Sequence, residues 1–227
     1  MVSGTDQSTL PYRRLPAVSF KTIYRWIFAG RGTLQALRHK GKRQKPAENR
    51  GKFAIGRSIS DRPQEVRSCE TFGHWELGTV VSGRGKSKGC IDTLIERKTH
   101  LYTAILMPDR TALSMEIALG VAISQYPTGT FLIAMADRGK EFACYANLET
   151  SHDLHVYFAD PYSSWQRGSN ENANGLLSEF FPKGTDLAQV EDEDLASSLD
   201  LINYRPRKCL GWRTAHESFT EELSRLV

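Results

Sequence analysis

HWELGTVVSGRGKSKGCIDTLIERKTHLYTAILM, residues 74–107, is the stretch that decides the fold. HWELGTVVS (74–82) alternates in polarity and carries β-branched residues, which predicts a strand. GRGKSKG (83–89) is a flexible turn, CIDTLIERK (90–98) a second strand and HLYTAILM (100–107) a third. Three consecutive strands on short links make an antiparallel meander. Downstream, TALSMEIALGVAISQ (111–125) has helical spacing, with Thr111 or Asp109 near its start. FLIAMAD (131–137) is a short apolar run ending on a charge, the pattern of a buried parallel strand. Residues 140–150 read as helix, HVYFAD (155–160) as a fifth strand and residues 169–180 as a helix after a Ser/Gly loop. The tail predicts helices near 190–203 and 214–225, with Thr214 and Glu217 as a capping box for the last.

Upstream the character changes. VSFKTIYRWIFAGRG (18–32) sets Phe20, Ile23, Tyr24, Ile27 and Phe28 at helical spacing, with Ser19 as N-cap and Gly30 or Gly32 as stop. Residues 1–18 have no periodicity and read as a disordered leader. From Arg31 to Arg57 there are nine basic residues and one acid, Glu48, the composition of an extended linker that lies along phosphates. Lys40, Lys42, Arg43 and Lys45 are its candidate DNA contacts. Such contacts give salt-sensitive affinity and no sequence specificity.

The whole chain has 227 residues, 40% hydrophobic and 25% charged, which argues against a disordered, collagen-like or membrane-spanning protein. The N-terminal MVSGTDQSTLPYRRL has no apolar segment of a secretory signal, so a cytoplasmic protein is expected. Cys69, Cys90, Cys144 and Cys209 stand 21, 54 and 65 residues apart, too far for a zinc pattern, and free thiols are expected. The net charge of +4 conceals a division. Residues 1–70 hold 15 Lys+Arg against 5 Asp+Glu, whereas residues 71–227 hold 15 against 21. A basic front on an acidic body suggests a polyanion-binding arm and a domain able to hold metal ions.

The order of elements, three antiparallel strands and then helix, strand, helix, strand, helix, is that of an α/β ribonuclease-H-like fold with a mixed sheet over residues 66–227, one of several α/β arrangements that the pattern alone allows. Asp137 closes the run FLIAMAD, and carboxylates at strand ends in α/β sheets often hold metals or substrates. Glu171 follows after 33 intervening residues. Each has a plainer alternative: Asp137 as a turn cap, and Glu171 as an acid favoured by the helix dipole.

HWELGTVVS, MADRGKEF (135–142), VYFADPYSSWQRGSNENANGLL (156–177), FFPKGTDL (180–187) and LINYRPRKCLGW (201–212) are the segments through which the chain resembles transposases of the IS-thirty family. These belong to the DDE transposase and retroviral-integrase group. The resemblance covers about residues 19–222. It implies DNA transposition and integration: cleavage at transposon ends, then attack of the exposed 3′-hydroxyl on target DNA. It implies two aspartates and a glutamate holding two Mg²⁺ or Mn²⁺ ions, because these hard cations prefer oxygen ligands. Asp137 and Glu171 match the second aspartate and the glutamate. The first aspartate, in a strand that reads HWE-x-D-T in the family, is Gly78 here. Glu76, on the same strand face, and Asp92, on the adjoining strand, are the two acids available to compensate; impaired catalysis is the expectation. Ser178 stands where relatives commonly carry Arg, and Met135 replaces a usual Thr. Residues 19–60 are expected to hold a residual helix-turn-helix segment and the basic linker. DNA and further copies of the protein on DNA are the implied partners. Two alternatives remain: a non-catalytic DNA-binding remnant that inhibits an intact transposase, and a structure-selective nuclease.

Arg167, Asn170 and Lys183 surround Glu171 and either contact DNA or order the start of the helix; Arg205, Arg207 and Lys208 in NYRPRK are either phosphate contacts or a solvated cluster with carboxylate partners in the tail. Trp165 and Trp212 read as packing residues ahead of base stacking. His152 and His155 have ligand-like spacing but lack a second pair, and read as loop residues. Lys86 and Lys88 sit in a glycine-rich turn without a phosphate-loop pattern.

Overall fold

The computed structural model describes residues 19–27, 29, 56–161 and 163–226. The chain divides into two compact units, Met1–Lys45 and Pro46–Val227. In the first, α1 (Phe20–Trp26) is a helix of 7 residues with Ile23, Tyr24 and Trp26 exposed. The Ser19 carbonyl accepts the Thr22 N–H at 2.8 Å, but the Ser19 side chain makes no capping bond. The leader, the stop glycines Gly30 and Gly32, and Lys40, Lys42, Arg43 and Lys45 lie outside the described residues.

The second unit is built on a six-stranded mixed sheet. Its strands are β1 (Arg57–Ser58), β2 (His74–Val81), β3 (Cys90–Glu96), β4 (Tyr102–Met107), β5 (Ile133–Ala136) and β6 (His155–Phe158), in the order β1-β6-β5-β2-β3-β4. β2, β3 and β4 form the antiparallel meander, with Gly78 opposite Thr93 and Thr79 opposite Asp92. β5 pairs parallel with β2 and with β6. β1 pairs parallel with Tyr157 and Phe158 and is too short for alternation to reveal it. Beside it, Ile59 and Val66 are buried with Ile133, Met135 and Tyr157, so the packed core reaches upstream of the strand-rich sequence.

Helices α2 (Ala112–Ser124), α3 (Tyr145–His152), α4 (Gly168–Phe180), α5 (Asp192–Asn203) and α6 (Ala215–Ser224) cover the sheet. On one face Trp75, Leu77 and Leu94 pack with Met115 and Leu119 of α2, Leu148 of α3 and Phe219 of α6. On the other, Ile91, Ile95 and Tyr102 pack with Ala173 and Leu177 of α4 and Leu195 and Ile202 of α5. Each large apolar side chain buried this way stabilises by about 1.5–3 kcal/mol. Thr111 caps α2 by accepting the Ser114 N–H at 3.2 Å, and the Thr214/Glu217 capping box opens α6. The predicted helix 140–150 divides into a 3₁₀ turn, Lys140–Cys144, and α3. Inside that turn Glu141 is buried and paired with Arg110 at 2.5 Å. All four cysteines are free thiols.

Candidate active site

Strand alternation decides which groups can meet. Gly78 shares its face of β2 with Glu76 and Val80, the face covered by α4. Asp92 pairs with Thr79, and Thr79 Oγ1 donates to Glu141 at 3.2 Å on the opposite face. Asp92 therefore points away from the Gly78 side of the sheet, and the choice of face left open by the sequence falls against it. Glu76 is on the correct face but is already engaged. It is buried, forms an ion pair with Arg97 at 3.0 Å, and accepts the Asn170 backbone N–H at 2.9 Å. The Arg97 Nε–H is not aligned on the carboxylate, so this contact is ionic rather than a hydrogen bond. Burial pushes the Glu76 carboxyl up, while the Asn170 N–H and Arg97 pull it back.

Asp137 follows β5 directly. Its Oδ1 accepts the Gly139 N–H at 2.9 Å, closing the turn, and its Oδ2 pairs with Arg167 at 3.1 Å. The Asp137 side chain is 42% exposed. Glu171 lies in the first turn of α4 and is exposed. Both acids thus keep access to solvent, and Arg167 ties the start of α4 to Asp137.

The space beside Gly78 is filled. A Cβ on Gly78 would lie 2.2 Å from Asn170 Oδ1 and 3.2 Å from Thr93 Oγ1. Asn170 is buried, and its Nδ2 donates to the carbonyls of Glu76 at 3.2 Å and Thr93 at 3.3 Å. Its Oδ1 accepts from Asn174 at 2.9 Å, and Asn174 Oδ1 accepts from the Tyr102 hydroxyl at 2.7 Å. A polar chain running from α4 to β4 holds this amide over Gly78. Of the two roles that the sequence leaves open for Asn170, the contacts found are those of a residue ordering the helix start: its side chain is buried against Gly78 and its backbone N–H is held by Glu76.

Arg167 is placed in the same way. It is buried, with Nη1 donating to the Leu77 carbonyl at 2.6 Å and Nη2 held by Asp137, which ties the start of α4 to β2 and to the end of β5. Arg207 is partly buried, donates to the Ile202 carbonyl at 3.4 Å, and has its pKa lowered by burial. Lys183, Arg205 and Lys208 are exposed, and Arg205 pairs with Glu179 at 3.4 Å. Ser178 donates to the Asn174 carbonyl at 2.8 Å, and the sulfur of buried Met135 accepts from Arg62 at 3.0 Å. Trp165 and Trp212, expected to pack, are 77% and 67% exposed.

Asp92 is a second consequence of register. It is fully buried, no well-formed hydrogen bond reaches either oxygen, and burial outweighs the nearby Thr93 N–H and pushes its carboxyl far above the usual range. The folded state therefore keeps a proton that the unfolded chain releases near pH 4, and Asp92 weakens the fold as pH rises from there. Asp92→Asn is expected to raise stability by about 1–3 kcal/mol at pH 7 and to change it little at pH 4. Denaturant unfolding at the two pH values reads this difference.

The residues present do not fit the two-ion centre that the resemblance implies. Gly78 contributes no donor, the amide over it is committed to Asn174, and Asp137 is paired with a buried arginine. Among the described residues no group of three or more His, Cys, Asp or Glu is placed to hold a metal ion, His152 and His155 included.

No family model matches the chain. It is 34% identical to the transposase for insertion sequence element IS1086 of Cupriavidus metallidurans, over 98% of this chain and 68% of that protein. It is 35% identical to the transposase for IS4351 of Bacteroides fragilis, over 90% and 64%, and 36% identical to transposase InsI for IS30C of Escherichia coli, over 95% and 59%. The chain spans about three-fifths to two-thirds of the length of these relatives. Among solved structures, the catalytic core domain of BIV integrase matches with a TM-score of 0.52 and 22% identity, over 67% of this chain and 96% of that one. The HTLV-2 integrase catalytic core in complex with magnesium matches with a TM-score of 0.51 and 17% identity, over 64% and 95%. These two likenesses establish the integrase-core, ribonuclease-H-like fold.

Proposed function

Because the chain belongs to the insertion-sequence transposases, we propose that it is a DNA-binding member of that family whose strand-cleaving chemistry is impaired at Gly78. The ancestral reaction is metal-dependent phosphoryl transfer on DNA, in which one metal ion activates the attacking oxygen and another stabilises the leaving one. Asp137 and Glu171 are the two carboxylates left of that centre. The observation that carries the reading is the Asn170 side chain lying where a carboxylate on residue 78 would stand. Glu76 is held by Arg97 and Asn170, and Asp92 faces the other side of the sheet, which supports impairment rather than rescue.

DNA affinity does not depend on that centre. Lys183, Arg205 and Lys208 on the folded unit, with Lys40, Lys42, Arg43 and Lys45 upstream, supply cations for the phosphate backbone. Trp75, Leu77 and the rest of the sheet core pack normally around Gly78, so the loss of one ligand leaves the scaffold whole. This favours the non-catalytic DNA-binding reading, in which the protein assembles with itself or with an intact transposase on DNA in the bacterial cytoplasm. No helix among the described residues is long and apolar enough to cross a membrane.

The test is binding and nicking of the same DNA by the purified chain. Duplex binding should weaken by roughly tenfold or more between about 50 and 200 mM salt, with EDTA making no difference. A supercoiled plasmid should stay intact in Mg²⁺ or Mn²⁺. Nicking by the natural chain that vanishes in Asp137→Ala would overturn the claim of impairment.

A further inference from the structure

The loop joining α5 to α6 presents aromatic rings and positive charge together. With the first two residues of α6 its sequence, YRPRKCLGWRTAH (204–216), contains Arg205, Arg207, Lys208 and Arg213, and no acid occurs between Asp200 and Glu217. Tyr204 and His216 stack face to face, 4.7 Å between ring centroids and 23° between planes, and both are exposed. Trp212 is more exposed still, with φ at 71°, a left-handed conformation uncommon for a bulky residue. The loop is not slack at this point. The Trp212 N–H donates to the Arg207 carbonyl and the Arg207 N–H to the Arg213 carbonyl, both at 2.9 Å. A hydrogen-bonded loop therefore holds an indole ring out into water, which packing among the described residues does not explain.

We propose that this loop is a stacking site for an unpaired nucleobase of a DNA strand, an inference that rests on DNA being the partner. A base has an aromatic face for Trp212 or the Tyr204–His216 pair to continue, and stacking of this kind tolerates any sequence. In an intact duplex those faces are covered by neighbouring base pairs, so the ligand is a single-stranded end or a melted position beside duplex. Arg205 and Arg213 flank the rings in solvent-exposed pairs with Glu179, at 3.4 Å, and Glu221, at 2.5 Å. Surface pairs of this kind yield to a phosphate at little cost.

The experiment compares the full chain with Trp212→Ala, Trp212→Phe and Tyr204→Ala, using labelled DNA as a blunt duplex and as the same duplex with a single-stranded 3′ overhang. The natural chain is expected to prefer the overhang by about tenfold. Trp212→Ala should lose most of that preference while holding the blunt duplex as before, and Trp212→Phe should keep it. Thermal melts confirm that these exposed substitutions leave the fold intact, and Tyr204→Ala gives an independent reading should one variant misfold. Overhang preference unchanged in both alanine variants overturns the inference while the DNA-binding reading stands. A change in oligomer mass in place of DNA preference would make the loop a protein contact and overturn it equally. Failure of the natural chain to bind either DNA removes both readings together.

Discussion

Replacing Arg97 by methionine is expected to lower stability by about 3–5 kcal/mol, because it strands a buried carboxylate. Arg97 and Glu76 are both buried and lie 3.0 Å apart. Arg97 also donates to the Val66 carbonyl, and Glu76 receives the Asn170 N–H at 2.9 Å, so the pair links the upstream turn, β2 and the start of α4. Burial already pushes the Glu76 carboxyl up, and losing the cation removes one of the influences that lower it. The damage should therefore ease as pH falls and Glu76 takes up a proton. Glu76→Gln combined with Arg97→Met should recover much of the loss, since the double variant buries no charge. Denaturant unfolding of both single variants and the double measures the coupling. Additive losses would show that the pair is not the joint described.

Gly78→Asp is the second large effect. It is expected to raise metal-dependent plasmid nicking on the order of 100-fold or more over the natural chain, because a missing metal ligand outweighs the 10–100-fold typical of outer-shell changes. The gain comes with a cost in stability. A Cβ at residue 78 would fall 2.2 Å from Asn170 Oδ1, so the amide must swing away and give up its bonds to Glu76, Thr93 and Asn174. Asn170→Ala in the Gly78 chain opens the same space without adding a carboxylate, and it should restore nothing. Equal rescue by Asn170→Ala would mean that crowding, not the absent acid, blocks the site.

Much of this was legible in the sequence. Alternation in HWELGTVVS, the short runs CIDTLIERK and FLIAMAD between turn signals, and the Thr214/Glu217 box locate β2, β3, β5 and α6 closely, because each rests on a local pattern or on capping. Gly78 also stands out, since a motif position is a matter of order along the chain. Register was not legible. The face on which Asp92 falls depends on how β2 and β3 align across the 82–89 hairpin, and one residue of slip reverses it. Arg167 and Asn170, polar residues beside Glu171, read equally as DNA contacts or as groups that order the helix start. Their partners, the carbonyls of Leu77, Glu76 and Thr93, lie far away in sequence, so no local pattern discloses them. β1 escaped notice for a simpler reason: two residues carry no periodicity.

The central claim is that Asn170, not a carboxylate, occupies the third ligand position and leaves Asp137 and Glu171 without a complete metal centre. Titration with Mn²⁺, following the free ion by electron paramagnetic resonance, tests it without any need for the right DNA end. The natural chain should show no saturable binding, and Gly78→Asp should show a site that disappears when Asp137→Ala is added. Saturable Mn²⁺ binding by the natural chain, abolished by Asp137→Ala, would contradict the account.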